Sequence, residues 1–563
     1  MNKKWEVYEV NQETIKKIEE EYQISPLLAN ILVNRNITSK EKIELFLNPK
    51  RNDFHDPFLM PDMECAVNRI LKAMENKEKT IIYGDYDVDG ITSITVLKQF
   101  LKERGLEVGE YTPNRLSEGY GLNKTAIKNI YEQGYNLIIT VDCGISGIEE
   151  IDYANSLGME VVVTDHHEPG DSLPNALAVV DAKRKDNKYP FNQLAGVGVV
   201  FKLIQAISMK LNLDEKEYLK YLDIVCVGTI SDIVPLMDEN RVIAKLGLKL
   251  VNITKNIGLK TLLHSIGYRK IDSGSISFGV APRINACGRM GAQEKALKLF
   301  LTESFEEANQ ITQELNSYNQ ERQQTEKRIF EEAVQKVEKE EKNNPCLILG
   351  SEGWHHGVIG IVASKITDIY FKPSILICFE EEEGKGSGRS IPGFDLHEAL
   401  MNNPKYIEKF GGHSMAIGIT LKKENFENFK KEFNEYAENC HIHDIIPIIK
   451  IDKEIILKEI SLEAVKDLAL LEPYGEGNKM PTFLIKSLKI NSIRTLSEGK
   501  HLKMTLQQDS YMIDAIGFNM GDIAQKYLIG DKVDVVGSLE LNQFGGIEQV
   551  QINVKDMRKS TKL

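Results

Sequence analysis

Short apolar runs that lead into an aspartate recur four times in the first half of the chain. Unbroken apolar runs of this kind predict strands that are buried on both faces of a parallel sheet. The runs lie at 80–83, 137–141, 161–164 and 224–230. Amphipathic stretches at 124–132 and 148–157 predict helices that cover such a sheet. The pattern therefore predicts an α/β fold with a parallel-sheet domain between residues 71 and 240.

Helical patterns flank this region on both sides. The pattern of residues 1–70 predicts a helical amino-terminal region, in which Ser39 caps a helix that ends at Leu47. Residues 241–344 predict a helical connector, and its last part, 303–344, contains neither glycine nor proline. We expect one linking helix there, about 60 Å long, that holds two lobes apart. A coiled-coil partner helix is the alternative, but clean heptads are absent.

The second lobe, at 345–445, has the pattern of a smaller α/β domain. Its segments 346–350 and 374–379 predict buried strands, and 384–390 predicts a glycine-rich turn that carries Ser387 and Arg389. Exposed backbone amides and a guanidinium suit a phosphate. Because His355, His356 and His413 belong to the same lobe, we expect a phosphate or substrate pocket. From 446 to 563, alternating runs predict a small antiparallel barrel.

Composition agrees with a chain of several domains. The 563 residues are 42% hydrophobic, and about 150 residues per domain would give three or four units. No apolar run approaches the ~18 residues of a membrane helix, and the first residues lack the apolar core of a secretory signal. The seven cysteines form no C-x-x-C pair, which argues against a zinc ribbon or a disulfide framework and fits a reducing compartment. We expect a cytoplasmic protein.

The net charge of −13 argues against a protein that coats duplex DNA nonspecifically, because such binding depends on many Lys and Arg contacts with phosphate. A nuclease stays compatible with this charge, since metal ions offset carboxylates and basic residues can line one groove. The tight basic cluster at 181–185 is interpreted as a solvated loop rather than a DNA site.

Acidic and imidazole side chains stand at the predicted carboxyl ends of the strands. Asp165, His166 and His167 follow the third apolar run directly, and further aspartates follow the other three runs. These aspartates are Asp85, Asp87, Asp89, Asp142 and Asp232. Gathered at one sheet edge, they would repel one another strongly without cations. Oxygen-rich sites with one or two histidines suit Mn²⁺ or Mg²⁺ better than Zn²⁺.

A calcium loop is the alternative for 85–90, because D-x-D-x-D-G opens an EF-hand. The segment lacks the closing glutamate and follows a predicted strand rather than a helix. We therefore reject an EF-hand.

Nine segments carry a resemblance to a known family. GDYDVDG at 84–90, VDCG at 141–144, TDHH at 164–167 and SDIVPL at 231–236 resemble, in order, the four motifs of the DHH phosphoesterase superfamily. GWHHGVIGIVA at 353–363, GSGRS at 386–390, GFDLH at 393–397 and GGH at 411–413 resemble its DHH-associated domain, and PYGEGN at 473–478 resembles a signature of the RecJ family. The resemblance covers the chain from about residue 50 to its end. Tyr83 stands where some relatives have histidine, which leaves the ligands of one metal open.

The resemblance implies a fold and a set of site residues. It implies a DHH domain and a DHH-associated domain joined by the long helix, with an OB-fold barrel at the carboxy terminus. It also implies hydrolysis of phosphodiesters with two ions of Mn²⁺ or Mg²⁺. The implied metal ligands are Asp85, Asp87, Asp89, Asp142, His166 and Asp232. Asp165 would orient an imidazole, and His167 would contact the scissile phosphate or the leaving oxygen.

The implied substrate contacts come from several parts of the chain. Arg283 and Arg289 would neutralise charge on the phosphoryl oxygens. Arg115, Tyr120, Ser387 and Arg389 would surround the DNA 5′ end, and His355 and His413 would complete the pocket. The predicted function is a 5′→3′ exonuclease that hydrolyses single-stranded DNA to 5′-mononucleotides in repair and recombination. A single-strand-binding protein and a helicase are expected partners, and a monomer is expected.

Three alternatives remain within the same superfamily. Smaller DHH enzymes cleave cyclic dinucleotides or very short RNAs, and they lack a terminal barrel. A pyrophosphatase would act on pyrophosphate, but the long chain argues against it. A relative without activity would serve only as a nucleic-acid-binding scaffold, as the eukaryotic replicative-helicase subunit of this superfamily does. The intact acidic motifs argue against the scaffold.

Overall fold

The computed structural model describes residues 3–115, 117–544 and 547–560. Two five-stranded sheets, one six-stranded sheet and one two-stranded sheet organise these residues. Within the described ranges, no helix is both long enough and apolar enough to cross a lipid bilayer.

The amino-terminal region is mainly helical, as predicted. Its elements are β1 (Lys4–Val7), α1 (Gln12–Tyr22), α2 (Pro26–Asn34), α3 (Lys40–Leu47) and α4 (Met63–Asn76). The Ser39 hydroxyl accepts the backbone N–H of Lys42 and so caps α3. Apolar side chains of α1 to α3 share one core with the carboxy-terminal barrel. The helix predicted after Ser39 is therefore confirmed, while strand β1 was not predicted.

A parallel sheet forms the centre of the first lobe. Its region contains β2 (Thr80–Gly84), α5 (Val88–Lys102), β3 (Val108–Tyr111), α6 (Lys124–Glu132), β4 (Leu137–Val141), α7 (Ile148–Ser156), β5 (Glu160–Thr164), β6 (Ala178–Val180), α8 (Gly196–Lys210), α9 (Lys216–Leu219) and α10 (Leu222–Ser231). The strand order is β3-β2-β4-β5-β6, and every neighbouring pair is parallel. All residues of β2 and β4 are buried. The α/β prediction is confirmed.

The fourth apolar run is a helix, and the strand predicted at 224–230 is wrong. Helix α10 is buried along almost its whole length. Glycines allow the close packing: a Cβ on Gly228 would lie 2.2 Å from Thr92 Oγ1, and one on Gly247 would lie 2.3 Å from Cys226 Cβ. A helix buried on all sides is apolar at every position, so its short sequence cannot be told from a buried strand by periodicity.

Six helices form the connector: α11 (Asp238–Val251), α12 (Ile257–Ile266), α13 (Ser273–Ser275), α14 (Ala281–Arg289), α15 (Gln293–Leu301) and α16 (Phe305–Lys336). Helix α16 has 32 residues, which gives a length of about 48 Å. A π-helical turn at Val337–Glu341 extends it. Ile311 belongs to the core of the first lobe and Ile329 to a core of the second. The prediction of one linking helix is confirmed.

The second lobe contains a mixed sheet with the strand order β10-β11-β9-β8-β7. Its elements are β7 (Leu347–Glu352), α17 (His356–Tyr370), β8 (Ser374–Glu380), β9 (Glu383–Arg389), α18 (Leu396–Asn402), β10 (Lys409–His413), β11 (Ala416–Lys422) and α19 (Phe426–Asn439). The strands predicted at 346–350 and 374–379 are confirmed.

The glycine-rich turn predicted at 384–390 is wrong, because these residues form most of strand β9. Its glycines alternate along the strand and lie on one face. A Cβ on Gly386 would lie 2.8 Å from Ile377 Cγ1, and one on Gly388 would lie 2.7 Å from Ile417 Cδ1. Glycine is therefore required for close packing rather than for a turn. The same alternation places Ser387 and Arg389 together on the opposite face.

A closed barrel follows, preceded by β12 (Ile448–Ile451), β13 (Lys453–Glu454) and α20 (Leu462–Leu468). The barrel strands are β14 (Phe483–Leu496), β15 (His501–Gln508), β16 (Tyr511–Gly517), β17 (Lys532–Phe544) and β18 (Ile547–Lys559). Strands β14 to β16 form a meander, β17 pairs with β14, and β18 pairs in parallel with β16. This is the topology of an OB fold. Strand β1 pairs with β12.

A buried arginine joins the amino-terminal helices, the connector and the segment before the barrel. Arg241 of α11 is fully buried, and its guanidinium lies 3.5 Å from the centre of the Phe46 ring. It donates hydrogen bonds to the carbonyls of Phe46, Leu470 and Glu472, at 2.5, 3.2 and 3.1 Å. These three carbonyls come from two distant segments of the chain, so this side chain fixes their positions relative to α11.

Arg241→Ala should lower the stability of the whole protein. Each buried carbonyl that loses its donor costs about 1–3 kcal/mol. We expect a clear decrease in the midpoint of thermal unfolding, measured by differential scanning fluorimetry. Arg494→Ala removes an arginine from the exposed face of β14 and should change stability by less than about 0.5 kcal/mol. Equal midpoints for the two variants would contradict the role given to Arg241.

Candidate metal centre and phosphate pocket

Four aspartates end four neighbouring strands of the first sheet in one row. Gly84 pairs with Val141, Val141 with Thr164, and Thr164 with Val180. The next residue on each strand is an aspartate: Asp85, Asp142, Asp165 and Asp181. All four are at most 3% exposed. The carboxyl edge of the sheet therefore collects buried acids, as predicted for the first three.

Helix α5 begins inside this cluster. The Asp87 carboxylate caps the helix by accepting the backbone N–H groups of Asp89 and Gly90, at 2.9 and 3.1 Å. A Cβ at position 90 would lie 2.3 Å from the Asp85 carbonyl oxygen, so only glycine fits there. Asp89 accepts the N–H groups of Gly196 and Val197 at the amino end of α8. Helix amino termini stabilise negative charge, which keeps Asp89 in place.

His166 lies among three of the carboxylates. Its Nε2 atom is 3.1 Å from Asp142 Oδ1, 3.7 Å from Asp232 Oδ2 and 3.8 Å from Asp89 Oδ2. Asp232 reaches the cluster from the end of α10. The arrangement brings together the six predicted metal ligands, since Asp85, Asp87 and Asp142 form an adjoining group with ligand atoms within 4.8 Å of one another.

The charges of this cluster are unbalanced. Burial, followed by repulsion from neighbouring aspartates, raises the pKa values of Asp85, Asp142 and Asp232 well above the usual range. The same causes raise the pKa of Asp89 to about 7. Burial, followed by the neighbouring His167, lowers the pKa of His166 to about 3, so its imidazole is neutral.

Several atoms of the cluster have the properties of metal ligands. Asp85 Oδ1, Asp232 Oδ2 and His166 Nε2 are buried, and none has a hydrogen-bond partner among the described residues. Buried polar atoms are normally paired, so such atoms need an explanation. Carboxylate oxygens with one neutral imidazole fit Mn²⁺ or Mg²⁺, and cations would remove the repulsion.

Asp165 has a different role from the other acids, because its oxygens are already occupied. Oδ1 accepts the His167 Nδ1–H at 2.7 Å and the His166 backbone N–H at 2.7 Å, and Oδ2 accepts the Ile145 N–H at 2.9 Å. Burial opposes ionisation of Asp165, but the contacts with His167 outweigh it and lower the pKa of Asp165. Asp165 therefore orients His167, as expected.

His167 lies at the open side of the cluster. Burial opposes its protonation, but the hydrogen bond and charge of Asp165 outweigh burial and raise its pKa. The Tyr120 hydroxyl lies 3.2 Å from His167 Nδ1 and 3.4 Å from the Asp142 carbonyl oxygen. Tyr120 is 50% exposed, so its ring borders the metal centre and remains accessible to a substrate.

Arginines from three parts of the chain lie close together beside the acids: Arg115 of the first lobe, Arg289 of the connector and Arg389 of the second lobe. We call them the arginine group. Burial, followed by the nearby charges of Arg115, Arg322 and Arg389, lowers the pKa of Arg289 to about 9. Arg289 donates to the Gly357 carbonyl at 2.7 Å, and Arg115 lies 5.2 Å from the centre of the Tyr86 ring. Cations held this close together favour an anion between them.

The second lobe contributes Ser387 and Arg389 to this pocket. The Arg389 guanidinium donates to Ser387 Oγ at 3.0 Å and to the Gly388 carbonyl at 2.7 Å. Helix α17 comes close to both side chains, because a Cβ on Gly360 would lie 2.9 Å from Ser387 Oγ and 3.2 Å from Arg389 Nη2. His355 caps α17 by accepting the Gly357 N–H. The predicted pocket residues Ser387, Arg389 and His355 thus lie beside Arg289.

Two predicted site residues lie away from the pocket. Arg283 donates to Asn316 Oδ1 and to the Gly279 carbonyl, both at 2.7 Å. Its guanidinium is thus held at the far end of α14 from Arg289, and the role expected for it at the phosphoryl oxygens stays a prediction. His413 is exposed on strand β10. His413 pairs with Ala416 of β11, and Ala416 pairs with Arg389 of β9. His413 and Arg389 therefore lie two strands apart on the same face of the sheet.

Tyr83 stands where some relatives have histidine, and the sequence left open whether it binds a metal. Its hydroxyl donates a hydrogen bond to the Gly121 carbonyl at 3.0 Å. Its ring packs against Tyr111, with the two ring centres 4.9 Å apart. The hydroxyl is occupied away from the acid cluster, so Tyr83 contributes to the core of the sheet.

Three residues near the site were missed by sequence reasoning. Asp181 is fully buried and ends the fourth strand of the row, so the interpretation of 181–185 as a solvated loop is wrong. Lys183 lies close enough to lower the pKa of Asp232 after burial and the neighbouring acids have raised it. Gly196 approaches Asp142 so closely that a Cβ would lie 2.7 Å from its Cβ. Two sequence features could have indicated these residues: the Gly-x-Gly at 196–198 and the aspartate that follows β6.

His356, one of the histidines from which the sequence predicted a pocket, also lies near the site. Burial, followed by the nearby charges of Arg115 and Lys385, lowers its pKa. Its Nδ1 atom is buried and has no hydrogen-bond partner among the described residues. The pair His355-His356 was noticed in the sequence, but only a structure shows that the second ring also borders the arginine group.

Three family models match the chain, and together they cover most of its length. The model described as "DHH family, N-terminal domain" matches residues 79–229, "DHHA1 domain" matches 343–439, and "RecJ OB domain" matches 451–556. They correspond to the parallel-sheet lobe, the second lobe and the barrel.

Named relatives and a solved structure match over almost the whole chain. The single-stranded-DNA-specific exonuclease RecJ of Bacillus subtilis is 38% identical over 98% of this chain and 70% of its own length. The RecJ of Haemophilus influenzae is 32% identical over 94% of this chain and 95% of its own length. A crystal structure of Thermus thermophilus RecJ in complex with Mn²⁺ superposes with a TM-score of 0.87, at 29% identity, over 100% of this chain and 80% of that one. The chain belongs to the RecJ family of single-stranded-DNA-specific exonucleases.

Proposed function

We propose that this protein is a metal-dependent exonuclease that hydrolyses single-stranded DNA from its 5′ end and releases 5′-mononucleotides. The observation that carries the proposal is that two oppositely charged groups lie side by side: a largely buried acid cluster on the first lobe and a half-buried group of arginines. The acids suit cations and the arginines suit a terminal phosphate. A strand whose 5′ end is held among the arginines presents a nearby phosphodiester to the acids.

The residues proposed to hold two ions of Mn²⁺ or Mg²⁺ are Asp85, Asp87, Asp89, Asp142, His166 and Asp232. A crystal structure of Thermus thermophilus RecJ in complex with Mg²⁺ also resembles this chain, with a TM-score of 0.81 and 28% identity. When bound, divalent ions of this kind activate water and stabilise the charge that develops on the phosphoryl oxygens.

The chain's own side chains bind, orient and transfer protons. Arg115, Arg289 and Arg389 hold the 5′-terminal phosphate, with Ser387 as a further hydrogen-bond donor. Asp165 fixes the His167 ring through Nδ1. The other ring nitrogen, Nε2, lies 3.3 Å from the Tyr120 hydroxyl and would donate a proton to the leaving oxygen. Tyr120, half-exposed beside His167, stacks on the terminal base.

The distance between the arginine group and the acid cluster sets both the polarity and the product. A fixed 5′ end allows cleavage at only one bond along the strand, so each turnover removes a mononucleotide. A channel between the lobes that is too narrow for a duplex would restrict the enzyme to single strands. We further propose that the chain has five domains with the boundaries expected from the sequence. We also propose that it acts as a monomer in the cytoplasm during repair and recombination, together with a single-strand-binding protein and a helicase.

The direct test is Mn²⁺-dependent digestion of a long single strand labelled at either end, beside its duplex form and a dinucleotide. We expect labelled mononucleotide at once from the 5′-labelled strand and late release from the 3′-labelled strand, because degradation begins at the 5′ end. The duplex should resist. Activity confined to the dinucleotide would favour a short-oligomer phosphodiesterase, and binding without any cleavage would favour a scaffold.

Asp232→Asn should reduce hydrolysis of a single strand by more than about 100-fold, because an amide is a weaker ligand than a carboxylate for Mn²⁺. Strand binding, measured by fluorescence anisotropy, should persist. Asp223→Asn is the matched control: Asp223 is a buried acid at the other end of α10, where it accepts a hydrogen bond from Thr254 at 2.5 Å. Equal loss in both variants would mean that Asp232 acts through the fold of α10 alone.

The metal-free protein should lose stability as the pH rises. A carboxyl whose folded pKa is raised, such as Asp89 from 3.8 to about 7, stabilises the fold at low pH, and this contribution disappears as the pH rises through the folded pKa. We expect the unfolding midpoint in EDTA to be lower at about pH 8 than at about pH 6, and Mn²⁺ to raise it more at the higher pH, since ligands bind metal when deprotonated. An Mn²⁺ effect that is larger at the lower pH would contradict this electrostatic account.

A further inference from the structure

A groove of about 900 Å³ lies on the connector, outside the metal centre. Three segments line it: the end of α11, residues 270–278 and residues 469–480. We call it the connector groove. None of the roles assigned above uses its side chains.

The connector groove is positively charged in a chain whose net charge is −13. Its lining includes four lysines and two acids. The lysines are Lys245, Lys249, Lys270 and Lys479, and the acids are Asp272 and Glu472. The Asp272 carboxylate accepts hydrogen bonds from the Ser275 N–H and hydroxyl, both at 2.7 Å. One of the two acids is therefore engaged in capping α13, while Lys249, Lys270 and Lys479 are exposed.

Two aromatic rings stand beside these lysines. Phe278 is 82% exposed, although its neighbours Ile276, Gly279 and Val280 are buried. Tyr268 is 48% exposed and lies against the same turn, because a Cβ on Gly279 would be 2.9 Å from Tyr268 Cε2. Exposed rings among cations are typical of surfaces that bind single-stranded nucleic acid, where bases stack and phosphates pair with lysine.

Helix α14 connects the groove to the metal centre. The turn that carries Phe278 ends at Val280, where α14 begins. In the middle of α14, Asn285 accepts the Val88 N–H next to Asp87. At the far end of α14, Arg289 lies in the phosphate pocket. Nine residues of helix span about 13 Å, which a few nucleotides can cover. Arg283 lies at the first turn of α14, between the two places.

We propose that the connector groove is a second binding site for the single-stranded DNA substrate, a few nucleotides beyond the scissile bond. Phe278 and Tyr268 stack on bases, and Lys249, Lys270 and Lys479 contact phosphates. The proposal rests on the exonuclease function proposed above. An acidic peptide is the other candidate occupant, but the Phe278 ring projects from the surface instead of lining a closed apolar pocket. A projecting ring suits a flat base.

The test compares Phe278→Ala and the double variant Lys249→Ala/Lys270→Ala with the unmodified full-length protein. The substrates are 5′-phosphorylated strands of 40 and of two nucleotides, with Mn²⁺ present, because a dinucleotide ends before it reaches the groove. Stacking of a base contributes about 1–3 kcal/mol, so kcat/KM for the long strand should fall about tenfold. For the short strand it should stay unchanged. Lys16→Ala/Lys17→Ala on the exposed face of α1 is the matched control and should change neither value.

Binding provides a readout that does not depend on hydrolysis. Anisotropy of the labelled long strand in metal-free buffer should show weaker binding by the groove variants. For the double variant, the slope of log affinity against log salt should be shallower by about 1.4, since each lost phosphate contact removes about 0.7 for a single strand. If the unmodified protein binds the strand but does not cleave it, the exonuclease function fails while the groove is still tested.

Three results would overturn the proposal. Unchanged binding and hydrolysis of the long strand would show that the groove does not contact DNA. An equal loss of kcat/KM on the dinucleotide would show that the substitutions act on the metal centre. Retained DNA binding with lost binding of a fluorescent poly-glutamate peptide would show a protein-docking surface instead.

Discussion

The crowding of buried carboxylates at one sheet edge is the constraint on which the rest of the structure depends. Parallel strands in register bring their carboxyl ends together, and in this chain the residue after each of four strands is an aspartate. Burial and mutual repulsion would drive protons onto these acids. The fold opposes this with the amino ends of α5 and α8, whose backbone amides hold Asp87 and Asp89. Divalent cations supply the remaining neutralisation.

The arginine group can act on a substrate only if it lies beside these acids. Its position is set by packing contacts that lie far from the arginines and from the acids. Arg289 comes from the connector and Arg389 from the second lobe, while α16 packs in the cores of both lobes. The segment at 473–478 supports the acid side: the Leu236 N–H donates to the Glu476 carbonyl at 2.8 Å, and Gly475 packs against the Leu236 side chain. Leu236 follows closely after Asp232, so the segment before the barrel helps to place a metal ligand.

Much of this arrangement could be predicted from the sequence, because strand-then-aspartate patterns fix where the acids lie once the sheet is parallel. The predictions failed where one pattern fits two structures. The apolar run at 224–230 fits a helix that is buried on all sides as well as it fits a buried strand. The alternating glycines at 384–388 allow a strand to pack closely against its neighbours and do not form a turn. The family resemblance assigned Arg283 to the phosphoryl oxygens together with Arg289, but six residues along a helix separate the two guanidinium groups by most of its length. Asp181 was missed because three neighbouring basic residues suggested a solvated loop.

The central claim is that the acid cluster is a two-ion centre facing a phosphate pocket. Anomalous diffraction from crystals grown with Mn²⁺ tests it most directly. The account predicts two peaks about 3.5–4 Å apart, within coordination distance of His166 and of the carboxylates of Asp85, Asp87, Asp89, Asp142 and Asp232. Well-ordered side chains with no ion between them, or ions bound at another part of the surface, would contradict it.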